Sequence, residues 1–277
     1  MRLIRHLALL LLLTAPAAAG DLLQKPDLQR EGEWTLRLRL PAGAGPHPMV
    51  VFLPGCAGWS AWERHSADRH FAALSAQGWG LAALDVLGAR GLRSICTDVG
   101  LLEGLRDDAV LAATQAAQAL AADPRFDGRR LVFMGQSFGG SVAVDLASVQ
   151  RRKLAKAERI FAGVIPYYPW CYATYGMGST ADFDTPVLIL GGALDDWTPV
   201  AKCVALAEAQ AKRDTPTPFE VEIYPGAYHS FDLDEMPRYE VPGFDGLQIV
   251  EGNAEQAAFS RVRYRAWLGQ LPAFVPE

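Results

Sequence analysis

The sequence has no N-terminal apolar run long enough to anchor it in a membrane. The run over residues 7–13 is followed by Pro16 and polar sequence, whereas a spanning helix needs about 20 apolar residues. Two arginines precede this run and three alanines follow it, an order typical of a secretory signal peptide. We therefore expect residues 1–19 to be removed after Ala19, leaving residues 20–277 as an exported protein, periplasmic or secreted.

Cysteine is scarce, and its positions limit the kinds of site that the chain can form. Cys56, Cys96, Cys171 and Cys203 are not spaced like the ligands of a zinc site. None of them follows the N-terminal apolar run, which argues against a lipid-anchored protein. In the oxidising compartment that export implies, the cysteines can form two disulfides, and the sequence permits three pairings.

The chain also lacks an excess of basic residues and any visible internal repeat. It carries 26 lysines and arginines against 31 acidic residues, a formal charge of −5. Loss of Arg2 and Arg5 with the signal peptide changes this charge to −7. Such a protein has no electrostatic reason to bind nucleic acid or an anionic membrane. Its 277 residues, half of them hydrophobic, suit one large domain with a substantial core.

Segments of strand pattern alternate with segments of helical pattern along the mature chain. We predict strands over residues 34–40, 49–53, 80–84, 131–134, 160–165, 187–190 and 219–224, and helices over 61–77, 105–122, 141–149, 200–212 and 254–271. The first strand alternates apolar and charged residues, so it should be a half-exposed edge strand. This order predicts an α/β fold, a mostly parallel doubly wound sheet with helices on both faces and right-handed crossovers. Ligands bind such sheets at the carboxyl ends of the strands.

Several charged residues are interpreted as structural. Asp107 and Asp108 should lie in the first turn of the helix 105–122, where acids favour the helix dipole. The basic run over residues 151–156 should be a solvated helix end.

The three longest loops, 86–103, 168–184 and 232–252, are expected to shape the pocket at the carboxyl ends of the strands.

The stretch LVFMGQSFGG, residues 131–140, reads as strand, tight turn and helix. Gly135, Ser137 and Gly139 fit G-x-S-x-G, the nucleophile elbow, which lifts the serine hydroxyl above the sheet. A side chain at either glycine would collide with the tight turn. Ser137 begins the next helix, whose dipoles favour negative charge near its oxygen. It is the candidate acyl-transfer nucleophile, although a glycine-rich turn with a capping serine produces the same pattern.

A serine nucleophile needs a base and an acid, which follow it along the chain in hydrolases of this architecture. Among the five histidines, only His229 follows a late strand, so His229 is the expected base. Asp195 and Asp196 both follow the strand 187–190. We favour Asp195 as the acid because it emerges sooner from that strand, and Asp196 is the alternative.

The negative charge of a tetrahedral intermediate needs two backbone amide donors. One should be the amide of Phe138, directly after the serine, and the other should come from the loop after the strand 49–53. Cys56 is the expected donor in that loop, where glycines permit a close approach. Ser137, Asp195, His229 and these two amides form the predicted site.

Six stretches spread over the mature chain resemble the dienelactone hydrolase family of α/β-hydrolases, in its exported serine-using branch. They are PGCAG (54–58), the stretch 85–91 with its Arg-Gly pair, GQSFGG (135–140), YYPWC (167–171), GGALDDWTPVAKC (191–203) and YPGAYHSFD (224–232). The resemblance implies a single α/β-hydrolase domain that cleaves small ester or lactone substrates through an acyl-enzyme, without a metal or organic cofactor. The best-known members use a cysteine nucleophile where this chain has Ser137, and usually have His-Gly where it has Pro54-Gly55.

Two other functions share parts of this pattern. A peptidase or amidase of the same fold would use the same three residues with a differently shaped pocket. A non-catalytic binding protein on a hydrolase scaffold is the other alternative, and the presence of all three residues argues against it.

Arg90 follows the strand that ends at Asp85, so we expect it near the rim of the pocket. There it is a candidate for binding a substrate carboxylate, as arginine does in bidentate fashion. A salt bridge to Asp107 or Asp108 is the structural alternative.

The order of the strands also suggests how the cysteines pair. Cys171 and Cys203 follow neighbouring strands at one edge of the sheet, and Cys56 and Cys96 follow successive strands. We therefore predict Cys56–Cys96 and Cys171–Cys203 disulfides, with buried free thiols as the alternative. Each pair requires Cα atoms within about 7 Å.

Overall fold

The computed structural model describes residues 22–24, 34–171, 182–214, 216–243 and 246–275; the expected signal peptide lies outside these residues. The strands, in chain order, are β1 Leu22–Gln24, β2 Thr35–Arg39, β3 His47–Leu53, β4 Gly80–Asp85, β5 Phe126–Gln136, β6 Gly163–Tyr167, β7 Val187–Gly192, β8 Phe219–Tyr224, β9 Tyr239–Gly243 and β10 Gly246–Val250. The helices are α1 Ala61–Ser75, α2 Val99–Ala121, α3 Phe138–Ala147, α4 Val149–Leu154, α5 Ala201–Ala211 and α6 Ala254–Gln270.

Eight strands form one sheet in the order β1-β2-β4-β3-β5-β6-β7-β8. Neighbouring strands from β4 to β8 run parallel, whereas β2 is antiparallel to both β1 and β4. The predicted mostly parallel α/β sheet is thus confirmed. From β3 the chain first winds outward to β4 and then returns to place β5 on the other side of β3. This reversal creates the crevice in which doubly wound sheets bind ligands, at the ends of β3 and β5.

Strand β2 confirms the predicted alternation but not its predicted place at the edge. Leu36 and Leu38 are buried, whereas Arg37 and Arg39 on the same strand are exposed. β1 pairs with β2 on its outer side, with Leu23 opposite Leu36. The edge assignment was therefore wrong, because β1 adds a further strand that its three residues did not reveal.

Two apolar layers cover the sheet. One layer joins it to α2, α3 and α5, and includes Phe133 of β5; the other joins it to α1 and α6, and includes Met134 of the same strand. Successive residues of β5 thus enter opposite layers, as the side-chain period of two requires. Burial on both faces explains why the central strands are continuous apolar runs.

Helix α2 begins at Val99, well before the predicted start near residue 105. Asp98 sets this start because its carboxylate accepts a hydrogen bond from the Leu101 amide at 2.9 Å, as N-cap residues do. Asp107 and Asp108 therefore lie well inside the helix, and their predicted place in its first turn is wrong.

The basic run over residues 151–156 is also less solvated than predicted. Arg151 reaches Asp107, with Nη2 2.6 Å from Oδ1. Arg152 is buried, donates to the Leu146 carbonyl at 2.7 Å and pairs with Asp184. These ion pairs explain why both arginines of the run turn inward rather than into water.

None of the helices in the described part of the chain is both long enough and apolar enough to cross a membrane.

Candidate active site

Ser137 lies in the sharp connection between β5 and α3. Its backbone has a φ of 50°, in the left-handed region that side chains other than glycine rarely adopt. The Ser137 amide donates to the Tyr167 carbonyl of neighbouring β6 at 3.0 Å. Such strained residues persist where the surroundings impose them, commonly at functional sites.

The glycines around Ser137 allow backbone to pack directly against backbone. A Cβ on Gly135 would lie 2.1 Å from the Gly139 carbonyl oxygen, and one on Gly139 would lie 2.2 Å from the Leu53 carbonyl oxygen. Both distances are far below van der Waals contact. The end of β3, the elbow and the start of α3 can therefore meet only if these positions are glycine.

The structure brings together Ser137, Asp195 and His229 from the carboxyl ends of three strands. His229 Nε2 lies 3.0 Å from Ser137 Oγ, and His229 Nδ1 lies 2.9 Å from Asp195 Oδ2. Asp195 follows β7 and His229 follows β8. Both separations are hydrogen-bond distances. A serine whose hydroxyl is hydrogen-bonded to a histidine that is itself held by a carboxylate is activated for nucleophilic attack.

Asp195 is buried and has a donor for each carboxylate oxygen. The amides of Trp197 and Thr198 donate to Oδ1 at 3.0 and 2.8 Å, while Oδ2 faces His229. Burial is the largest influence on the pKa of Asp195 and raises it, but the charge and hydrogen bonds of His229 and Thr198 together hold that pKa below its ordinary value. An ionised carboxylate therefore faces the imidazole at neutral pH.

Asp196, the alternative acid, points elsewhere. Its Oδ1 accepts a hydrogen bond from the Ile249 amide of β10 at 3.1 Å. This contact joins the loop after β7 to the β9–β10 hairpin. The geometry therefore gives Asp195 the contact with His229 and gives Asp196 a structural contact.

Aromatic and hydroxyl groups surround the His229 ring. The ring centroids of Tyr168 and Trp197 lie 4.6 and 5.1 Å from that of His229. Thr198 Oγ1 lies 3.1 Å from His229 Nδ1 and 3.0 Å from the Tyr168 carbonyl oxygen. These contacts restrict the rotation of the imidazole.

The two residues predicted to supply the oxyanion amides, Cys56 and Phe138, line one cavity together with Ser137. Phe138 is the first residue of α3, so its amide has no acceptor within the helix. Cys56 follows Gly55, where a Cβ would lie 3.3 Å from Ser137 Cβ. Among the described residues, no backbone carbonyl accepts a hydrogen bond from the Cys56 amide. Cys56 and Phe138 therefore remain the residues expected to bind the oxyanion.

A small cavity of about 30 Å³ opens at Ser137. Its walls are formed by Cys56, Leu102, Arg106, Ser137, Phe138, Ser141, Trp170, Trp197 and Thr198. A larger cavity of about 610 Å³ lies elsewhere, between β2, β4 and α1, and Ser137 does not line it. Of these two cavities, only the smaller is lined by Ser137, whose Oγ lies 3.0 Å from His229 Nε2.

Arg90 does not line the Ser137 cavity. Its Nη1 donates to the Val86 carbonyl at 2.8 Å, and its Nη2 lies 3.4 Å from Asp108 Oδ2. The structure thus places Arg90 in the salt bridge that was the structural alternative. Among the described residues, no group of three or more histidine, cysteine or acidic side chains is arranged to hold a metal ion.

Both predicted disulfides are present. Cys56–Cys96 has a Cα–Cα distance of 4.9 Å, and Cys171–Cys203 has one of 5.0 Å. The first bridge holds the loop that carries the Cys56 amide. The second holds the chain directly after Trp170, which lines the same cavity.

Sequence reasoning missed several buried polar residues beside the site. Tyr168, Gln136 and His70 all contact the carboxylate of Asp232. Tyr168 lies inside the YYPWC stretch and Asp232 inside YPGAYHSFD. Their place in stretches that resemble the dienelactone hydrolase family could have marked both residues as candidates. His70 was set aside because it precedes the elbow along the chain.

Comparison with solved structures shows which known proteins share this fold. The structure resembles that of a Klebsiella pneumoniae subsp. pneumoniae protein assigned as a dienelactone hydrolase, with 20% identity, a TM-score of 0.64, and coverage of 86% of this chain and 93% of the other. It also resembles esterase 2 of Thermogutta terrifontis, phosphorylated by paraoxon, with 16% identity, a TM-score of 0.65, and coverage of 94% and 97%.

One curated relative and one family model also match the sequence. The relative is an uncharacterized peptidase, YuxL, of Bacillus subtilis strain 168, which is 24% identical over 241 residues. The match covers 77% of this chain but only 34% of that protein, so the chain spans about a third of its relative's length. The model of the dienelactone hydrolase family matches residues 38–270. The chain therefore belongs to the dienelactone hydrolase family.

Proposed function

We propose that this protein is a serine hydrolase that cleaves carboxylic ester or lactone bonds through an acyl-enzyme. The observation that carries the proposal is the continuous contact from Ser137 Oγ through His229 to Asp195, at 3.0 and 2.9 Å. Membership in the dienelactone hydrolase family supports it, as does the likeness to an esterase.

The geometry suggests a role for each residue. Ser137 Oγ attacks the ester carbonyl carbon while His229 Nε2 takes its proton, and the amides of Cys56 and Phe138 bind the developing oxyanion. The imidazolium returns the proton to the leaving alcohol as the carbon–oxygen bond breaks. Water then attacks the acyl-enzyme with the same base and releases the acid. Asp195 holds Nδ1 protonated and stabilises the imidazolium.

The small cavity points to short acyl groups. A space of about 30 Å³ holds roughly two water-sized groups. The Thermogutta terrifontis esterase has been seen with propionate bound and with butyrate bound. We therefore take p-nitrophenyl propionate as the first substrate.

The direct test combines turnover with covalent trapping. Wild type should hydrolyse p-nitrophenyl propionate, and Ser137→Ala should lower kcat by about 10⁴ or more with an unchanged circular dichroism spectrum. Paraoxon should add a single diethylphosphoryl group, which peptide mass spectrometry locates on Ser137. Ser75→Ala, at the half-buried last residue of α1, is the matched control and should keep full activity. Equal turnover by wild type and Ser137→Ala would refute the proposal.

Peptidase activity is the second candidate, favoured by the name of the curated relative. It would use the same three residues, with an amine in place of the alcohol as the leaving group. A propionyl p-nitroanilide and a short peptide assayed beside the ester separate the two. Faster turnover of the amide substrates would replace esterase by peptidase.

We also propose that the protein is exported. The two disulfides support this proposal, because such bonds persist in oxidising compartments. Cell fractionation of the expressing bacterium, with the N-terminus of the product sequenced, should give mature protein beginning at Gly20 outside the cytoplasm. Recovery of the unprocessed chain in the cytoplasm would contradict it.

A further inference from the structure

A second buried acid–histidine pair lies beside the proposed site, and the reaction above does not use it. His70 Nε2 lies 3.0 Å from Asp232 Oδ2, and both side chains are 0% exposed. His70 comes from α1, which contributes no residue to the proposed chemistry. A fully buried pair of this kind is costly to desolvate, so its presence calls for a reason.

The Asp232 carboxylate is held from several sides. Its Oδ2 accepts a hydrogen bond from Gln136 Nε2 at 2.6 Å and faces Ser66 Oγ at 3.4 Å, while its Oδ1 accepts from the Tyr168 hydroxyl. We name Asp232, His70, Gln136, Ser66 and Tyr168 the Asp232 cluster. All five side chains are buried, and their hydrogen bonds fix the position of the carboxylate.

The protonation states agree with this pattern of donors. Burial is the largest influence on the pKa of Asp232 and raises it, but His70, Tyr168 and Gln136 together hold that pKa below its ordinary value. Burial, and then the nearby Asp232 charge, raise the pKa of Tyr168 well above its ordinary value. The carboxylate thus accepts and the phenol donates across the neutral pH range.

The cluster touches each of the three chain segments that carry the proposed chemistry. Gln136 directly precedes Ser137, and Asp232 lies three residues after His229. The Tyr168 ring packs on the His229 ring, with centroids 4.6 Å apart. The Tyr168 carbonyl lies 3.0 Å from Thr198 Oγ1, which is itself 3.0 Å from Asp195 Oδ2.

Tyr168 holds this position at a conformational cost. Its φ is 36°, a left-handed conformation that is unfavourable for a bulky residue and that only the surroundings can impose. The Tyr168 amide donates to the Leu190 carbonyl at 2.8 Å. The backbone and the hydroxyl are therefore both fixed, and the ring between them has one available orientation against His229.

We propose that Asp232 is a positioning residue that acts through Tyr168. Its carboxylate fixes the Tyr168 hydroxyl, and the fixed ring holds the His229 imidazole in the rotation that directs Nε2 to Ser137 Oγ. His70 anchors the carboxylate to α1. This role rests on the proposed function, because it assigns a task to residues around the same base.

The test compares two removals of a buried tyrosine hydroxyl from the same region. Tyr168→Phe removes the contact with Asp232 and keeps the ring. Tyr264→Phe is the matched control, because its hydroxyl lies 3.3 Å from His70 Nδ1 and is equally buried. Tyr168→Phe should lower kcat for p-nitrophenyl propionate by about 10-fold or more, with KM within about 2-fold. Tyr264→Phe should keep kcat within about 2-fold of wild type.

A measurement without substrate keeps this inference separate from the proposed function. The downfield proton resonance of His229 Nδ1, hydrogen-bonded to Asp195, reports the orientation of the imidazole. It should shift or broaden in Tyr168→Phe and Asp232→Asn, and should match wild type in Tyr264→Phe. If Asp232→Asn does not fold, Tyr168→Phe decides by itself. Equal kcat and equal His229 resonances in Tyr168→Phe and Tyr264→Phe would overturn the positioning role, even in an active hydrolase.

Discussion

Replacing Asp195 by asparagine should disable the base while leaving the shape of the site intact. The amides of Trp197 and Thr198 donate to Asp195 Oδ1 at 3.0 and 2.8 Å, so an asparagine must keep its oxygen there. Its NH2 group then occupies the Oδ2 position and donates to His229 Nδ1. The imidazole is forced into the tautomer with a proton on Nε2, which faces Ser137 Oγ at 3.0 Å and cannot accept another.

The size of the effect follows from the loss of the base. Holding the wrong tautomer in such a triad costs about 10⁴ in kcat, which corresponds to about 5 kcal/mol of transition-state stabilisation. KM should change little, because Asp195 does not line the Ser137 cavity. The assay is steady-state hydrolysis of p-nitrophenyl propionate. Paraoxon titration counts the active sites of the wild type, and circular dichroism shows that the variant is folded.

Asp196→Asn is the matched control, one residue along the same loop. It keeps an oxygen to accept the Ile249 amide, and we expect kcat within about 3-fold of wild type. A severe loss in Asp196→Asn together with a nearly silent Asp195→Asn would refute this assignment of the acid.

Three further predictions concern the surroundings of the site. A double serine substitution that removes the Cys56–Cys96 bridge should lower the free energy of unfolding by about 4 kcal/mol, because the two cysteines are 40 residues apart. It should also lower kcat at temperatures where the protein stays folded. An unchanged kcat would show that the bridge does not support the loop that carries the Cys56 amide. Because the pKa of Asp232 is lowered in the fold, its stabilisation is complete above about pH 4 and is lost as the pH falls through the folded-state value. When urea unfolding is measured between about pH 2.5 and 5, the free energy of unfolding should therefore fall more steeply with decreasing pH for wild type than for Asp232→Asn. Equal slopes of unfolding free energy against pH would contradict this. Arg90→Gln should reduce activity on acidic and neutral esters equally, since Arg90 pairs with Asp108; a selective loss on acidic esters would restore a substrate role for Arg90.

The features that the sequence predicted are those whose signals are local. Strand β8 spans the predicted residues 219–224 because its alternating apolar and charged residues need no partner to be recognised. The elbow has a similarly local signature, since its glycines and serine are adjacent. The disulfide pairs followed from strand order, which the alternation of elements supplies.

The features that the sequence did not predict depend on contacts between distant segments. The β9–β10 hairpin, Tyr239–Gly243 and Gly246–Val250, lies in what was expected to be the loop 232–252. Its proline and glycines indicate a turn, and only its cross-strand pairing shows strands. His70 and Asp232 lie 162 residues apart, and no local pattern marks such a pair.

The packing around Ser137 divides its cavity into a part that can vary and a part that cannot. Gly135 and Gly139 pack against backbone with no room for a Cβ. A substitution at either glycine should therefore disrupt the fold rather than change the substrate selectivity. The same cavity is also lined by larger residues, among them Leu102, Trp170 and Trp197. We therefore expect divergence to new acyl groups, in nature or in directed evolution, to proceed at positions of this kind rather than at the two glycines.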